Sequence, residues 1–418
     1  MKVLLVGATG FVGRHLLAAL SAAGHEVIAT SRDHHLRSLP GVEWQVLDLD
    51  RLAEDSKHFI LPHGIDLLIN AAGLLSTDEQ ALRLTQDLGT RALFDLAARR
   101  GVRVLHISAL GAGEQPDVPF LASKAAADDY LMTLGVPAVV LRPSLLLGAG
   151  GASSAWLARL SPWPLIPLLD LQARLQPLHI DDLSAAVLAL LRHWPAHSQV
   201  LPLVGPQVLT LAQVLDQLRA AQGWGPARYV KVPGILSRAG AWLGERLGWR
   251  ALNRQNLRMA QRDNVAGPEA LVEVCGYRSA PLSTRLQDWP NAGQSVQSAL
   301  RPLLLAVMLL IWLGTAVVCL GPGYDWSLRI MAEAGVSGDS AAFAVYAGSL
   351  CDGLLGLGML FRRTRKWTFR AQLLLMGAYT LIISFVLPHY WFDPYAAVAK
   401  NLVLMVATLW LLWTEPRR

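Results

Sequence analysis

The sequence predicts a doubly wound α/β domain with a smaller lobe, followed by four membrane helices, and three observations predict it. Short strands that are apolar throughout alternate with amphipathic helices up to residue 148, the pattern of a parallel sheet covered on both faces. A glycine-rich turn, GATGFVG, joins the first strand to the first helix. The apolar excess then concentrates after residue 300, in segments each close to the ~20 residues that a spanning helix needs.

KVLLV, residues 2–6, forms the first strand and is bounded by Gly7. FVGRHLLAALSAAG carries apolar residues at helical spacing and stops at Gly24. HEVIATSR is the second strand, VEWQVLDLD at 42–50 the third and IDLLINAAG at 65–73 the fourth. A helical stretch over about 79–100 ends in ARRG and leads into the strand VRVLHIS at 102–108. LASKAAADDYLMTLG is the next helix and PAVVLRPSLLLG the next strand. After Gly148 the rhythm breaks. GAGGASSAWLARLSPWPLIPLLD is rich in Gly, Ser and Pro, as in loops over a ligand site. Mixed short elements run to about residue 295, and DWPNAGQSVQS at 288–298 reads as a polar hinge. The expected organisation is a core over 1–148, a substrate lobe over 149–297 and a membrane domain over 298–418.

Of the 418 residues 53% are hydrophobic and 16% charged, against about 25% charged in ordinary globular domains. The four expected spans are roughly 302–321, 341–361, 371–388 and 396–413. RPLLLAVMLLIWLGTAVVCLGP has no polar face, which disfavours a soluble helical core. Arg301, RRTRK and EPRR flank one end of the spans, while the other connections, PHYWFDPY among them, are poor in Lys and Arg. The positive-inside rule then puts both chain ends on the cytoplasmic side of an inner membrane, with Tyr390, Trp391 and Tyr395 at the far interface. The net charge of +6 abuts apolar segments, as at Arg362, Arg363, Arg365 and Lys366. No basic face interleaved with aromatics appears, which argues against nucleic acid. Cys275, Cys319 and Cys351 form no framework and no CxxC, so neither a disulfide nor a metal site is expected. The apolar start, MKVLLVGATG, is too short for a signal peptide and places the N-terminal domain in the cytoplasm.

VLLVGATGFVGRHL sets Gly7, Gly10 and Gly13 between a strand and a helix. Gly7 permits the tight turn, Gly10 lets backbone approach a pyrophosphate, and Gly13 lets helix pack on strand. The N–H groups of Phe11 and Val12 at the helix start then meet the phosphates. Strand context on one side and helix context on the other identify the pattern as a Rossmann dinucleotide site. The second strand ends in ATSR, without the carboxylate that binds the ribose of NAD. Arg32 can pair with a 2′-phosphate and Ser31 adds a hydroxyl, so NADP(H) is favoured over NAD(H); Asp33, one position late, keeps NAD open.

With these residues in view, the first 295 or so positions resemble the atypical, extended short-chain dehydrogenase/reductase superfamily. They are similar to its epimerase-like branch, which includes the NADPH-binding accessory subunit of respiratory complex I. GATGFVG matches that family's TGxxGxxG loop, with Thr9 before the glycines. DLD implies an adenine-contacting Asp48 beside Leu49, and NAAG makes Asn70, Ala71, Ala72 and Gly73 the strand end bordering the cofactor. HISALGA puts Ser108 at the catalytic serine position, and RPSLLLGAGG with QPLHIDDLSAAV resembles the substrate-side loops. The C-terminal region resembles the DoxX-like four-helix membrane family, whose members are associated with membrane redox and quinone processes.

The resemblance implies a YxxxK pair in which tyrosine moves the proton and lysine holds the nicotinamide ribose. VPFLASKAAADDY keeps Lys124 but has Phe120 in the tyrosine slot. Phenylalanine has no ionisable proton, and general acid–base catalysis is typically worth about 10²–10⁴-fold. Tyr130 is ten positions along the same helix, ~15 Å by rise, and on a different side. Ser123, His106, Glu114 and Asp117 are the remaining substitutes within reach. Two functions stay open: a membrane-tethered NADP(H)-dependent oxidoreductase on a lipophilic or quinone-like substrate, or a non-catalytic NADPH-binding protein of a membrane redox assembly. An isomerase or dehydratase, which also needs a proton carrier, is a weaker third. In the membrane part, Asp352 falls mid-span, where a charge costs about 2.5–3.5 kcal/mol on insertion scales. Lys400 either snorkels to the interface or approaches Asp352.

Overall fold

The computed structural model describes residues 1–32, 42–246, 253–394, 396 and 398–416. The chain forms two compact units, Met1–Ser295 and Val296–Arg418.

In the first unit, β1 (Lys2–Val6), α1 (Phe11–Ala22), β2 (Glu26–Ser31), β3 (Val42–Val46), α2 (Leu49–Glu54) and β4 (Leu67–Asn70) build one half of the sheet. After β4 come α3 (Glu79–Leu82) and α4 (Gly89–Ala98), then β5 (Arg103–Ile107), α5 (Pro119–Thr133) and β6 (Ala138–Pro143). A seventh strand, Gln199–Leu203, closes the far edge beside β6. The order across the sheet is that last strand, then β6, β5, β4, β1, β2 and β3, every pair parallel. The chain leaves in one direction from β1 and returns in the other through β4, so the crevice for a ligand opens where these two strands end. Val3, Leu4, Leu5, Leu67, Leu68 and Ile69 are fully buried, because both faces of the sheet are covered by helices. At about 1.5–3 kcal/mol for each such side chain, this core fixes the strand ends that carry the site.

Two local expectations are corrected, and one, the helical stretch at 79–100, is borne out over 79–98 with a change of pitch inside it. VEWQVLDLD was expected to be one strand, yet β3 stops at Val46. Asp48 caps α2 instead, its side chain accepting from Asp50 N at 3.0 Å. The helical stretch runs through α3, a wider π turn over Arg83–Leu88, and α4. Residues 292–298, expected in a polar hinge, are helical. Asn291 and Gln294 exchange backbone-to-side-chain bonds of 2.9 and 3.2 Å, a reciprocal cap that starts the helix Ala292–Leu320.

The smaller lobe of this unit packs Leu147, Leu157, Ile166, Leu168, Val214 and Leu218 into a core of its own. Among the described residues, three helices are long and apolar enough to cross a membrane, Ala292–Leu320, Asp339–Gly358 and Arg365–Val386. The expected fourth span, Ala399–Trp413, has 15 residues, roughly 22 Å of helix against a hydrocarbon core of about 30 Å. An unexpected helix, Tyr324–Glu333, lies between the first two. Arg301, inside the first long helix, and Arg365, at the start of the third, both meet the buried carboxylate of Glu415 just past the end of the last.

Candidate active site

The glycine turn is held by backbone contacts that leave no room for side chains. Gly7 has φ +78°, and a Cβ there would stand 2.7 Å from Ala72 N. One at Gly13 would stand 2.0 Å from Gly7 O. Gly10 is extended and starts α1 with no side-chain cap, so the first amides of the helix at Phe11 and Val12 keep the orientation an anion needs. Asn70 closes the neighbouring strand end, where its Oδ1 accepts from Ala72 N at 3.1 Å. Gly7, Thr9, Gly10, Phe11, Val12 and Gly13 thus share one edge with Asn70, Ala71, Ala72 and Gly73. This cradle fits a dinucleotide pyrophosphate, since a Cβ at its base would collide with backbone.

The loop after β6 lies on the start of the same helix. Arg14 Nη2 donates to Ala149 O at 3.0 Å, and a Cβ at Gly151 would come within 2.9 Å of the Phe11 ring. On the adenine side, Asp48 caps α2 and Leu49 is buried. Ser31 ends β2 and Arg32 after it is exposed. Asp33 lies outside the described residues.

At the reacting end, α5 begins at Pro119, whose fixed φ suits a first helical position. It turns Leu121, Lys124, Ala125, Asp128 and Leu131 into the body. Lys124 is buried, and its Nζ donates to Ala72 O at 3.2 Å and Ile107 O at 3.0 Å. It therefore spans the ends of β4 and β5. Burial brings its pKa down to about 8, with the Asp128 charge working the other way. Ser108, just beyond β5, donates from Oγ to Asp128 Oδ2 at 2.8 Å. Arg142 of β6 donates to that same oxygen at 2.9 Å. His106 faces Asp128 Oδ1 at 3.5 Å and takes a 3.3 Å contact from Asn70 on its other nitrogen. Burial first, and the Lys124 charge second, push the His106 pKa well below its usual range, so the ring stays neutral. Burial raises the Asp128 carboxyl, against the pull of Ser108 and Arg142.

Phe120 sits half-buried one turn before Lys124, its backbone N–H on Gln255 Oε1 at 3.1 Å. The proposed substitutes fare unevenly. Tyr130 donates to Asp95 at 2.7 Å, on the side of α4. Asp117 is gripped by Arg262 through contacts of 2.6 and 2.8 Å, which hold its carboxyl below the usual range. Ser123 bonds back to Phe120 O at 3.0 Å, and Glu114 is exposed. None of these four meets Lys124 or Ser108 among the described hydrogen bonds.

Asp128 and Arg142 were missed by the sequence reading. Asp128 had a signal, since it follows Lys124 by four positions and so shares its face. Arg142 had none, because its partner is 14 residues away on another element. In the second unit, Asp352 is half-buried in its helix. Lys400 is exposed, and no ion pair joins it to Asp352 among the described residues. Asn401 instead donates to Thr380 Oγ1 at 3.3 Å.

Residues 3–200 match the NAD dependent epimerase/dehydratase family. The chain is also 30% identical over 139 residues to a UDP-glucose 4-epimerase of Klebsiella pneumoniae, 29% of this chain and all of that one. It belongs to the epimerase/dehydratase family. Residues 309–409 match the DoxX-like family, which with the three long apolar helices makes this epimerase-family chain a membrane protein. It is 31% identical over 202 residues to a ceramide reductase of Caulobacter vibrioides, covering 46% of this chain and 61% of the relative. It is 28% identical over 236 residues to the NADH dehydrogenase [ubiquinone] 1 alpha subcomplex subunit 9 of Dictyostelium discoideum, covering 54% of this chain and 64% of that one. The chain thus spans less than two thirds of the length of either. A solved structure, MoeE5 in complex with UDP-glucuronic acid and NAD, shares the fold with a TM-score of 0.53 at 17% identity, over 72% of this chain and all of its own.

Proposed function

We propose that this family member is a membrane-anchored NAD(P)H-dependent oxidoreductase that reduces a lipophilic carbonyl or quinone-like substrate. The observation that carries it is Lys124, buried with its Nζ on Ala72 O and Ile107 O at the strand ends where the nicotinamide belongs, its pKa lowered by burial to about 8. Bound there, the nicotinamide supplies a hydride. Two Lys124 N–H bonds go to Ala72 O and Ile107 O, leaving one for the ribose or the substrate oxygen. A lysine titrating near 8 holds its proton at neutral pH and gives it up at little cost, the task Phe120 cannot perform. Ser108 orients the substrate oxygen. Its own hydrogen lies on Asp128, so it presents lone pairs until it rotates, and Arg142 keeps Asp128 in place. The name of the Caulobacter relative supports a lipid-borne carbonyl. Arg32 and Ser31 favour NADP(H), the core, lobe and membrane domain divide near 148 and 297, and the first unit faces the cytoplasm.

A second reading, cofactor binding without turnover, is favoured by Phe120 and by a relative named as a respiratory-complex subunit. Anaerobic NADPH oxidation in lipid nanodiscs, with lipophilic ketones and quinones added, separates the two. Turnover that Lys124→Ala abolishes, and that falls as pH rises through about 8, is the expected outcome. Tight NADPH binding without oxidation, with turnover appearing in Phe120→Tyr, establishes the second reading instead.

A further inference from the structure

One helix of the first unit is packed in an unusual sense for a surface helix. Gly234–Arg246, GILSRAGAWLGER, rests on the unit through small residues, Ser237, Ala241 and Gly244. Its large apolar side chains point outward: Ile235 is 76% exposed, Leu236 62%, and Trp242 and Leu243 45% each. With Ala239 they occupy positions i, i+1, i+4, i+7 and i+8, one continuous stripe on a 3.6-residue period. The strand that leads into this helix, Arg228–Lys231, pairs in parallel with Leu165–Leu168, and Val230 and Leu165 are exposed as well. Scattered apolar residues on a surface are ordinary, whereas a continuous stripe marks an interaction face.

Charge indicates what covers it. Strand and helix carry Arg228, Arg238 and Arg246 besides Lys231, which is paired with Asp170 at 3.0 Å, and their single acid, Glu245, is paired with Arg254 at 3.5 Å. The Arg246 guanidinium lies 4.5 Å from the centre of the Trp242 ring. An apolar stripe containing tryptophan and flanked by arginines is the composition of a helix lying in the interface of an anionic bilayer. The chain brings that bilayer with it, through three helices able to cross one. We propose that the 234–246 helix docks the first unit onto an anionic lipid surface. Ile235, Leu236, Trp242 and Leu243 enter the acyl boundary, and Arg238 and Arg246 meet headgroup phosphates. Docking requires no turnover, so it stands or falls separately from the reaction proposed above.

The test uses the full chain with its three cysteines replaced by serine, an environment-sensitive fluorophore on Leu243→Cys, and a control label on Glu54→Cys. Nanodiscs contain phosphatidylcholine alone or with phosphatidylglycerol, each with and without doxyl-labelled lipid. The expected result is quenching at 243 about threefold stronger than at 54, greatest with phosphatidylglycerol and brought toward the control by Arg238→Glu with Arg246→Glu. Equal quenching at 243 and 54 overturns the proposal. So does shielding of the 243 label from aqueous iodide without lipid quenching, which means a protein or a second copy covers the face. If the serine background does not fold, a photo-crosslinking benzoylphenylalanine at Leu243 in the native chain reads the same contact. A phospholipid adduct supports docking, and a protein adduct or none overturns it.

Discussion

The two units both bury large apolar side chains, Phe94 in the sheet unit and Phe369 in the helical one, and differ in what they leave exposed. In the sheet unit the largest fully buried side chains are Phe94, Leu4, Leu5 and Leu16. In the helical unit Gln372, Ser349 and Thr408 are buried while Phe385 is 83% exposed. The difference follows from the medium. Against water, apolar area goes inside; against lipid there is no such drive, so packing and hydrogen bonds between helices decide what is buried. Both units pair buried carboxylates with arginine, Asp128 with Arg142 and Glu415 with Arg301 and Arg365. The buried charge that differs is Lys124, which lies on two backbone carbonyls. The 234–246 helix keeps the second unit's pattern inside the first, which is what singles it out.

The largest effect is expected at Glu415, where removing one partner of a buried pair costs about 3–5 kcal/mol. Glu415→Gln should lower the unfolding temperature of the second unit in nanodiscs and leave NADPH affinity intact; an unchanged transition would break the likeness between the two units' buried pairs. Next comes Lys124. Its folded pKa of about 8 lies below the ordinary 10.5, so the unfolded chain holds more protons between those values. Stability of the first unit should then rise with pH across that window by about 3 kcal/mol. Lys124→Met should flatten the rise in denaturant titrations followed at successive pH values. Gly13→Ala comes third. Its Cβ meets backbone on the far side of the turn, and NADPH affinity should fall about 100-fold, on the order of 2.7 kcal/mol. The smallest effect belongs to Gly356→Ala. There the new Cβ would stand 2.7 Å from Leu313 Cδ2, a side-chain tip that can turn aside, so the unfolding temperature should move by no more than about 2–4 °C. A larger loss there would mean the bundle is as tightly packed as the glycine turn.

Much of the cofactor edge was legible because its cause is local. GATGFVG states its own turn, and the apolar runs state their strands. Lys124 was legible through its spacing from Phe120 and its place after Ser108. Asp48 was read into a strand because DLD continues an apolar alternation, although a capping aspartate fits the same letters. The helix start at Ala292 was missed because Asn291 and Gln294 look like hinge residues until they bond to each other.

The sequence by itself determined the parallel α/β core, the glycine turn, the loss of the tyrosine and the presence of a membrane part, since each depends on residue order within one segment. Only the tertiary structure decided which way Ser108 points. Asp128 comes to it from α5, and Arg142 of β6 and His106 of β5 meet that same carboxylate. Only folding, too, turned Ile235 and Trp242 outward, by giving the buried side of their helix to Ser237, Ala241 and Gly244. An apolar stripe is written in the chain, but the side it faces is set by what the rest of the molecule offers to pack against.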